Sequence, residues 1–308
     1  MNAVDDPDLA ACIAAAEAGD EGALDALAGA LRARHRVERT HADERVLRRW
    51  SDVSVADLDA HPDGFAQVHR GDHDGFLIRG VLTPDEAAAF TDRALAAELH
   101  ANVGGRLLGT SLLGLPDRVG YLAAAEGTRR RLDELFGFSF EERVEDVLRR
   151  VGGGRPVGLP AEDGRSYLPA TVRVLDALAG GYRAHTGNEF VESYESYDHL
   201  RSIARTTDAL SYFVLTQRPD EGGELIMYDL AWTETPDGFD REFMSPLRDA
   251  RLEAYPKAYL DPGPGDMILF NGGRIWHKVA DVVGDRPRVT VGGFATLSGP
   301  GDRIYYWN

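Results

Sequence analysis

Pro262-Gly263-Pro264-Gly265-Asp266, then Met267-Ile268-Leu269-Phe270, then Asn271-Gly272-Gly273, then Arg274-Ile275-Trp276-His277-Lys278-Val279 follow one another without interruption. This is turn, short apolar run, turn, short apolar run. Adjacent Pro and Gly residues fix turn geometry, and short β-branched or aromatic runs between such turns read as strands. The rhythm extends both ways, predicting strands at Tyr167–Leu175, Tyr182–Thr186, Leu210–Leu215, Glu224–Leu230, Val289–Leu297 and Ile304–Trp307, broken at Gly180-Gly181 and Glu221-Gly222-Gly223. Upstream the pattern is helical. Phe76–Leu82 reads as a strand, Thr83-Pro84-Asp85-Glu86 as a capping box opening a helix to about Glu98, and Ser139 as the cap of a helix over 140–151. Helices first and many short strands later predict an α+β fold: a double-stranded β-helix, or jelly roll, with supporting helices.

Residues 7–33 are alanine-rich with Leu9, Ile13, Leu24, Leu27 and Leu31 near helical spacing, and 41–50 continue in that style. The predicted organisation is a helical N-terminal extension over 1–70 and a catalytic jelly roll over 71–308. The 308 residues carry 51 acidic against 34 basic side chains, a net charge of −17. That surplus argues against nucleic acid polymers and anionic membranes, which need a basic footprint. Cys12 is the single cysteine, so cysteine-based metal centres are excluded. No apolar run reaches the roughly 18 residues of a membrane span, and the N-terminus lacks the basic start of a signal peptide, so the expected location is cytoplasmic. The basic residues are almost all arginine, which points to a GC-rich coding genome.

Among nine histidines, two sit on predicted strands that each follow a turn: His185 and His277. Arg288 then opens the next strand, with Thr290 two residues on. Two histidines with a nearby arginine suit a metal-chelated 2-oxo acid, whose far carboxylate takes a forked ion pair. Such centres commonly add a carboxylate two residues after the first histidine, on the same strand face. The literal matches, His41-Ala42-Asp43 and His61-Pro62-Asp63, are poor: one lies in a charged helical run, the other holds a proline outside any strand.

The segments Leu168–Arg173, His185–Asn188, Leu210–Phe213, Gly222–Leu225, Pro262–Met267, Phe270–Arg274 and Ile304–Trp307, with Gly75–Val81, carry a resemblance. Over about residues 74–308 the chain resembles the non-haem iron, 2-oxoglutarate-dependent oxygenases. Within them it is most similar to the carrier-independent aliphatic halogenases of hapalindole and welwitindolinone alkaloid pathways. The resemblance implies a cupin-like jelly roll, iron(II) on His185 and His277, 2-oxoglutarate on Arg288 and Thr290, and O2 as co-substrate.

Where a carboxylate is due, the sequence has Gly187. Glu189 or a distant acid is one replacement, although four residues along a strand is roughly 13 Å; a metal-free site is another. The resemblance implies a third reading, in which glycine vacates a coordination position for chloride, and the carbon radical left by hydrogen abstraction takes chlorine rather than hydroxyl. Ser211 is the candidate for orienting that outcome, and Asn188 for hydrogen-bonding chloride or a bound water. Substrate residues are expected at Tyr194, Tyr197, His199 and Arg201, which suit a polar aromatic small molecule. The resemblance extends to members acting on adenine deoxynucleotides, so a 2′-deoxyadenosine monophosphate is the expected substrate and an indole alkaloid the alternative. The remaining alternatives are a hydroxylase with an atypical third ligand and a non-catalytic cupin-like binding protein. The oligomeric state is not encoded in any motif.

Overall fold

The computed structural model describes residues 7–39, 49–102, 105–113, 118–177, 181–237, 239 and 245–308. Strands of three or more residues are numbered in chain order. The first half of the chain supplies β1 (Trp50–Ser54), β2 (Gly75–Arg79), β3 (His100–Asn102), β4 (Gly105–Leu108), β5 (Thr171–Leu175) and β6 (Tyr182–His185). The second supplies β7 (Leu210–Gln217), β8 (Leu225–Ala231), β9 (Lys257–Leu260), β10 (Met267–Phe270), β11 (Ile275–Val279), β12 (Arg288–Leu297) and β13 (Ile304–Trp307).

They form two sheets. The larger runs β1-β2-β10-β7-β12-β5-β4-β3, with β13 also on β12, and the smaller runs β9-β8-β11-β6. Apart from parallel β1–β2, neighbours along both orders are antiparallel. Period-two alternation sorts the side chains. Leu77, Ile268 and Phe270 of the large sheet meet Leu225, Met227 and Leu260 of the small one in the space between. Their sequence neighbours Phe76, Ile78, Met267 and Leu269 face outward onto a helical layer. On the outer face of the small sheet Ala184, Ile226, Tyr228 and Trp276 pack together. His185 and His277, of opposite parity to Ala184 and Trp276, therefore point between the sheets. This is the jelly roll.

The helices are α1 (Pro7–Glu17), α2 (Glu21–Arg39), α3 (Gly64–Arg70), α4 (Pro84–Ala96), α5 (Arg118–Phe136), α6 (Phe140–Val151), α7 (Gly187–Ser193), α8 (Asp198–Ile203) and α9 (Pro246–Leu252). The expected helical run over 7–33 is two helices broken at Ala18-Gly19-Asp20. The continuation expected over 41–50 lies outside the described residues up to position 48, as do His41 and Asp43; Trp50 starts a strand. The capping box at α4 is formed: Thr83 Oγ1 accepts from Glu86 N (3.2 Å) and Glu86 Oε2 from Thr83 N (2.8 Å). Ser139 caps α6 as expected. Gly181 (φ 63°) is needed where the chain enters β6, because a Cβ there would lie 2.5 Å from the Val279 carbonyl oxygen. Among the described residues, no helix is long and apolar enough to cross a membrane.

The division expected at residue 70 does not match the fold. β1 extends the large sheet in register, Trp50 beside Gly75 through Ser54 beside Arg79. Phe65 and Val68 of α3 are fully buried in the main core. The reason is apolar surface: β1 and α3 cover the sheet edge and face, while α1 and α2, among the described residues ahead of them, stand apart from that core in a cluster with Ala250.

Replacing Thr83 by alanine removes one half of the capping box and should lower stability by about 1 kcal/mol. Urea unfolding followed by circular dichroism measures this, and an unchanged midpoint would contradict it.

Candidate active site

β6 and β11 are neighbours, and their register sets His185 directly opposite His277, with ring centroids 4.3 Å apart. Each Nδ1 lies 2.8 Å from a carbonyl oxygen two residues back in its own strand, Arg183 for His185 and Ile275 for His277. A carbonyl only accepts, so Nδ1 carries the proton and each Nε2 keeps its lone pair. Burial pushes both imidazoles toward the neutral form; His185 is further lowered by His277, and His277 is brought down to about 4. Phe190 stacks on His185 and Phe270 meets His277 edge-on. Two neutral nitrogen donors thus sit side by side in an aromatic enclosure, which is the chemistry of a divalent transition-metal site.

The third position differs from the strand geometry expected. Thr186 caps α7, so Gly187 opens a helix instead of continuing β6. Its N–H donates to Gly272 O (2.8 Å), and a Cβ there would sit 3.0 Å from Gly273 Cα. Glu189 does not supply the missing acid, because both its oxygens pair with Arg248 at 2.9 and 3.1 Å. His61-Pro62-Asp63 lies ahead of α3, with Asp63 paired to Arg70. Among the described residues, no group of three or more His, Cys, Asp or Glu side chains is placed to hold a metal.

Asn188 is buried, its Nδ2 donating one N–H to Asp208 Oδ1 (2.8 Å) and its Oδ1 accepting from Asp208 N (2.7 Å). These bonds fasten α7 to the turn before β7 and use one of the two amide N–H groups.

The histidines line a cavity of about 790 Å³, open mouth included, together with Ser211 and Phe213 of β7 and Arg288 and Thr290 of β12. Arg288 is buried, its guanidinium 5.0 Å from the Phe213 ring centroid, and its Nε and Nη2 have no protein hydrogen-bond partner. Burial lowers its pKa to about 10, which leaves it charged at neutral pH. A buried cation with unanswered donors beside two imidazoles fits a ligand carboxylate. The residues present therefore fit iron and 2-oxoglutarate together.

The four expected substrate residues are not part of this cavity. Tyr197 is buried in a cluster with Tyr121 and Tyr167, beside which Tyr194 packs, and this cluster adjoins the cavity through Phe190 and Phe294. His199 Nδ1 lies 3.0 Å from Tyr167 Oη, and Arg201 is tied to Val191 O, Tyr194 O and Asp198. Phe190 is the member of that stretch that reaches the cavity. Arg173, Tyr182, Phe294, Ser111 and Asn308 line it without having been singled out. Arg173 stands opposite Thr290 in the β5–β12 register and lies over the Tyr182 ring at 4.3 Å. Strand parity with Thr171, also in the cavity, is the signal that marks it.

A family model described as "Carrier-protein-independent halogenase WelO5" matches residues 47–308. The chain belongs to this halogenase family. The match begins upstream of β1, in agreement with the place of β1 in the sheet and of α3 in the core. No curated protein matches the chain. Among solved structures, the chain is similar to an N-substituted L-amino acid dioxygenase from Burkholderia ambifaria AMMD: 16% identity, 79% of this chain and 91% of that one covered, TM-score 0.50. It also aligns with the non-haem alpha-ketoglutarate-dependent epimerase SnoN from nogalamycin biosynthesis: 15% identity, 78% and 85% covered, TM-score 0.44. The chain is thus a member of a halogenase family with the fold of the amino acid dioxygenase.

Arg288→Met should keep the fold, since the Nε and Nη2 donors it removes hold no protein group, yet abolish the rise in melting temperature that 2-oxoglutarate gives the wild type. Retention of that rise would refute the assignment. Both imidazoles being neutral, cobalt(II) affinity should stay nearly level from about pH 7.5 to about pH 5.5, where an ordinary histidine pair loses it. The sign for stability is opposite to that of a His⁺ with a partner. The unfolded chain takes up protons first, so native stability falls as pH drops below about 6.5 toward the folded value.

Proposed function

We propose that the protein is an iron(II)- and 2-oxoglutarate-dependent halogenase that replaces an aliphatic hydrogen of a free small molecule with chlorine in secondary metabolism. One observation carries the reading. His185 and His277 form a donor pair with glycine at the position of the third ligand, and Glu189, the nearest acid in sequence, is held by Arg248. In this reading Nε2 of each histidine holds the metal, and Arg288 with Thr290 holds the far carboxylate of 2-oxoglutarate. With no carboxylate among the described residues placed at the centre, one negative charge would be lacking there, and chloride would both restore it and be the atom transferred. Iron with 2-oxoglutarate and O2 supplies the hydrogen abstraction. Overall R–H, chloride, a proton, 2-oxoglutarate and O2 give R–Cl, succinate, CO2 and water. Ser211, on the cavity wall, is the residue assigned to biasing the outcome toward chlorine over hydroxyl.

For substrate we propose a polar aromatic anion, an adenine deoxynucleotide such as 2′-deoxyadenosine monophosphate, ahead of an indole alkaloid. The support is the Arg173 guanidinium at the cavity wall together with Tyr182, Phe190 and Phe294 as stacking faces. The residues that first pointed to a nucleotide, Tyr194, Tyr197, His199 and Arg201, do not contribute to it.

One observation favours a hydroxylase instead. The 3.0 Å approach of Gly273 Cα to a Cβ at 187 is a steric demand for glycine that needs no chloride. Mass spectrometry of deoxynucleotides, nucleosides and indole alkaloids incubated with iron(II), 2-oxoglutarate and O2 separates the two. Chlorine should replace hydrogen only when chloride is present. Gly187→Asp should abolish chlorination, while Gly187→Ala, which adds bulk without charge, should retain part of it. Oxidation unchanged without halide would sink the halogenase reading. A wild-type protein showing no visible band on anaerobic addition of iron(II) and 2-oxoglutarate would favour a non-catalytic binder.

A further inference from the structure

The N-terminal helices lie upstream of the residues shared with the halogenase family, and they pack on a helix that lies behind the metal-ligand strands. Helix α9 is the link. Asp249 Oδ1 accepts from the N–H of Ala184, the residue before His185, at 2.9 Å, and Oδ2 accepts from Nζ of Lys278, the residue after His277, at 2.7 Å. Arg183 Nη1 lies 3.5 Å from the same carboxylate. Its neighbour Arg248 is fully buried, pairs with Glu189 just beyond Gly187, and lies 5.1 Å from the centroid of Trp276, the residue before His277. Two adjacent residues of one short helix therefore grip both histidine strands and the start of α7. They act from the side opposite the cavity, as strand alternation requires.

Helix α9 is itself held from behind. Leu9, Ala16, Ala23, Leu27 and Leu31 of α1 and α2 form one buried cluster with its Ala250. Arg251 Nη2 donates to Glu17 Oε1 (2.8 Å). At its C-terminal end His35 Nε2 sits 2.7 Å from Glu253 Oε1, and Glu253 also receives Tyr228 Oη of β8 at 3.0 Å.

We propose that α1 and α2 are a positioning element for the two-histidine centre, acting through Arg248 and Asp249 of α9. The proposal rests on the reading of His185 and His277 as metal donors. Packing of the N-terminal helices fixes α9, and the buried charges of α9 fix the separation and tilt of the two imidazoles.

Cobalt(II) alone, titrated anaerobically into the full-length metal-free protein without 2-oxoglutarate, reports this through its dissociation constant and its visible ligand-field bands. Asp249→Asn keeps an oxygen for the Ala184 N–H but loses the charge that holds Lys278. Leu27→Ala loosens the α2–α9 contact from a distance, Leu31→Val is a milder second variant at that contact, and Leu27→Met conserves its volume. Leu132→Ala, in the core on the far side of the large sheet, is the control for general destabilisation. At temperatures where all are folded by circular dichroism, Asp249→Asn and Leu27→Ala should bind cobalt(II) about tenfold more weakly with displaced bands. Leu31→Val should show a smaller change in the same direction, while Leu27→Met and Leu132→Ala should match the wild type. Wild-type affinity and bands in all the folded α2 and α9 variants, or an equal loss in Leu132→Ala, overturns the proposal. A wild-type protein that takes up no cobalt(II) overturns instead the donor reading beneath it.

Discussion

A charge withdrawn from water must be answered by an opposite charge or by a ligand, and the interior of this protein is arranged by that demand. Glu189 is answered by Arg248, Asp249 by Lys278, and Glu253 by His35 and Lys257. Each of these pairs ties an element behind the small sheet to another. Arg288 is different: Nε and Nη2 have no protein acceptor, on the inner side of the same barrel. Structural charges are paired on one side of the histidine strands, and the side facing the cavity holds donors that a ligand can satisfy.

The jelly roll was largely legible in the sequence because its strands are short and closed by strong turn chemistry. Met267–Phe270 and Ile304–Trp307 lie where the pattern put them, and the capping box at Thr83 and the cap at Ser139 start helices as read. Helix α9 was not legible. Its few residues carry no sustained periodicity, and its stability comes from partners such as Glu189 and Lys278 that are remote in sequence. Helix α7 had a signal that could have been read: Thr186 precedes Glu189 by the spacing of a capping box, and the Thr186 side chain does cap the helix. Placing positions 187 and 189 by strand parity overlooked it.

At the site, the two histidines and Arg288 were legible because strand parity and position after a turn decide where a side chain points. The residues after Phe190 were misjudged because aromatic and polar types together read equally well as a binding surface or as a core with hydrogen-bonded tips. The structure has the second. Tyr197 is buried among Tyr121, Tyr167 and Leu200, and Arg201 spends its donors on local carbonyls. The bonds of Asn188 to Asp208 were not legible for a related reason, since they join residues twenty positions apart in the chain.

The imidazoles are oriented by carbonyls of their own strands, so their direction is set before any metal arrives. Direction, however, is distinct from grip. On the proposed reading the polypeptide offers two attachment points where a facial triad offers three, and the remaining hold on the ion comes from the chelating co-substrate. Residence time of the metal then follows the local supply of 2-oxoglutarate. On that reading, a fall in 2-oxoglutarate would loosen the metal as well as withdraw the co-substrate that the reaction consumes.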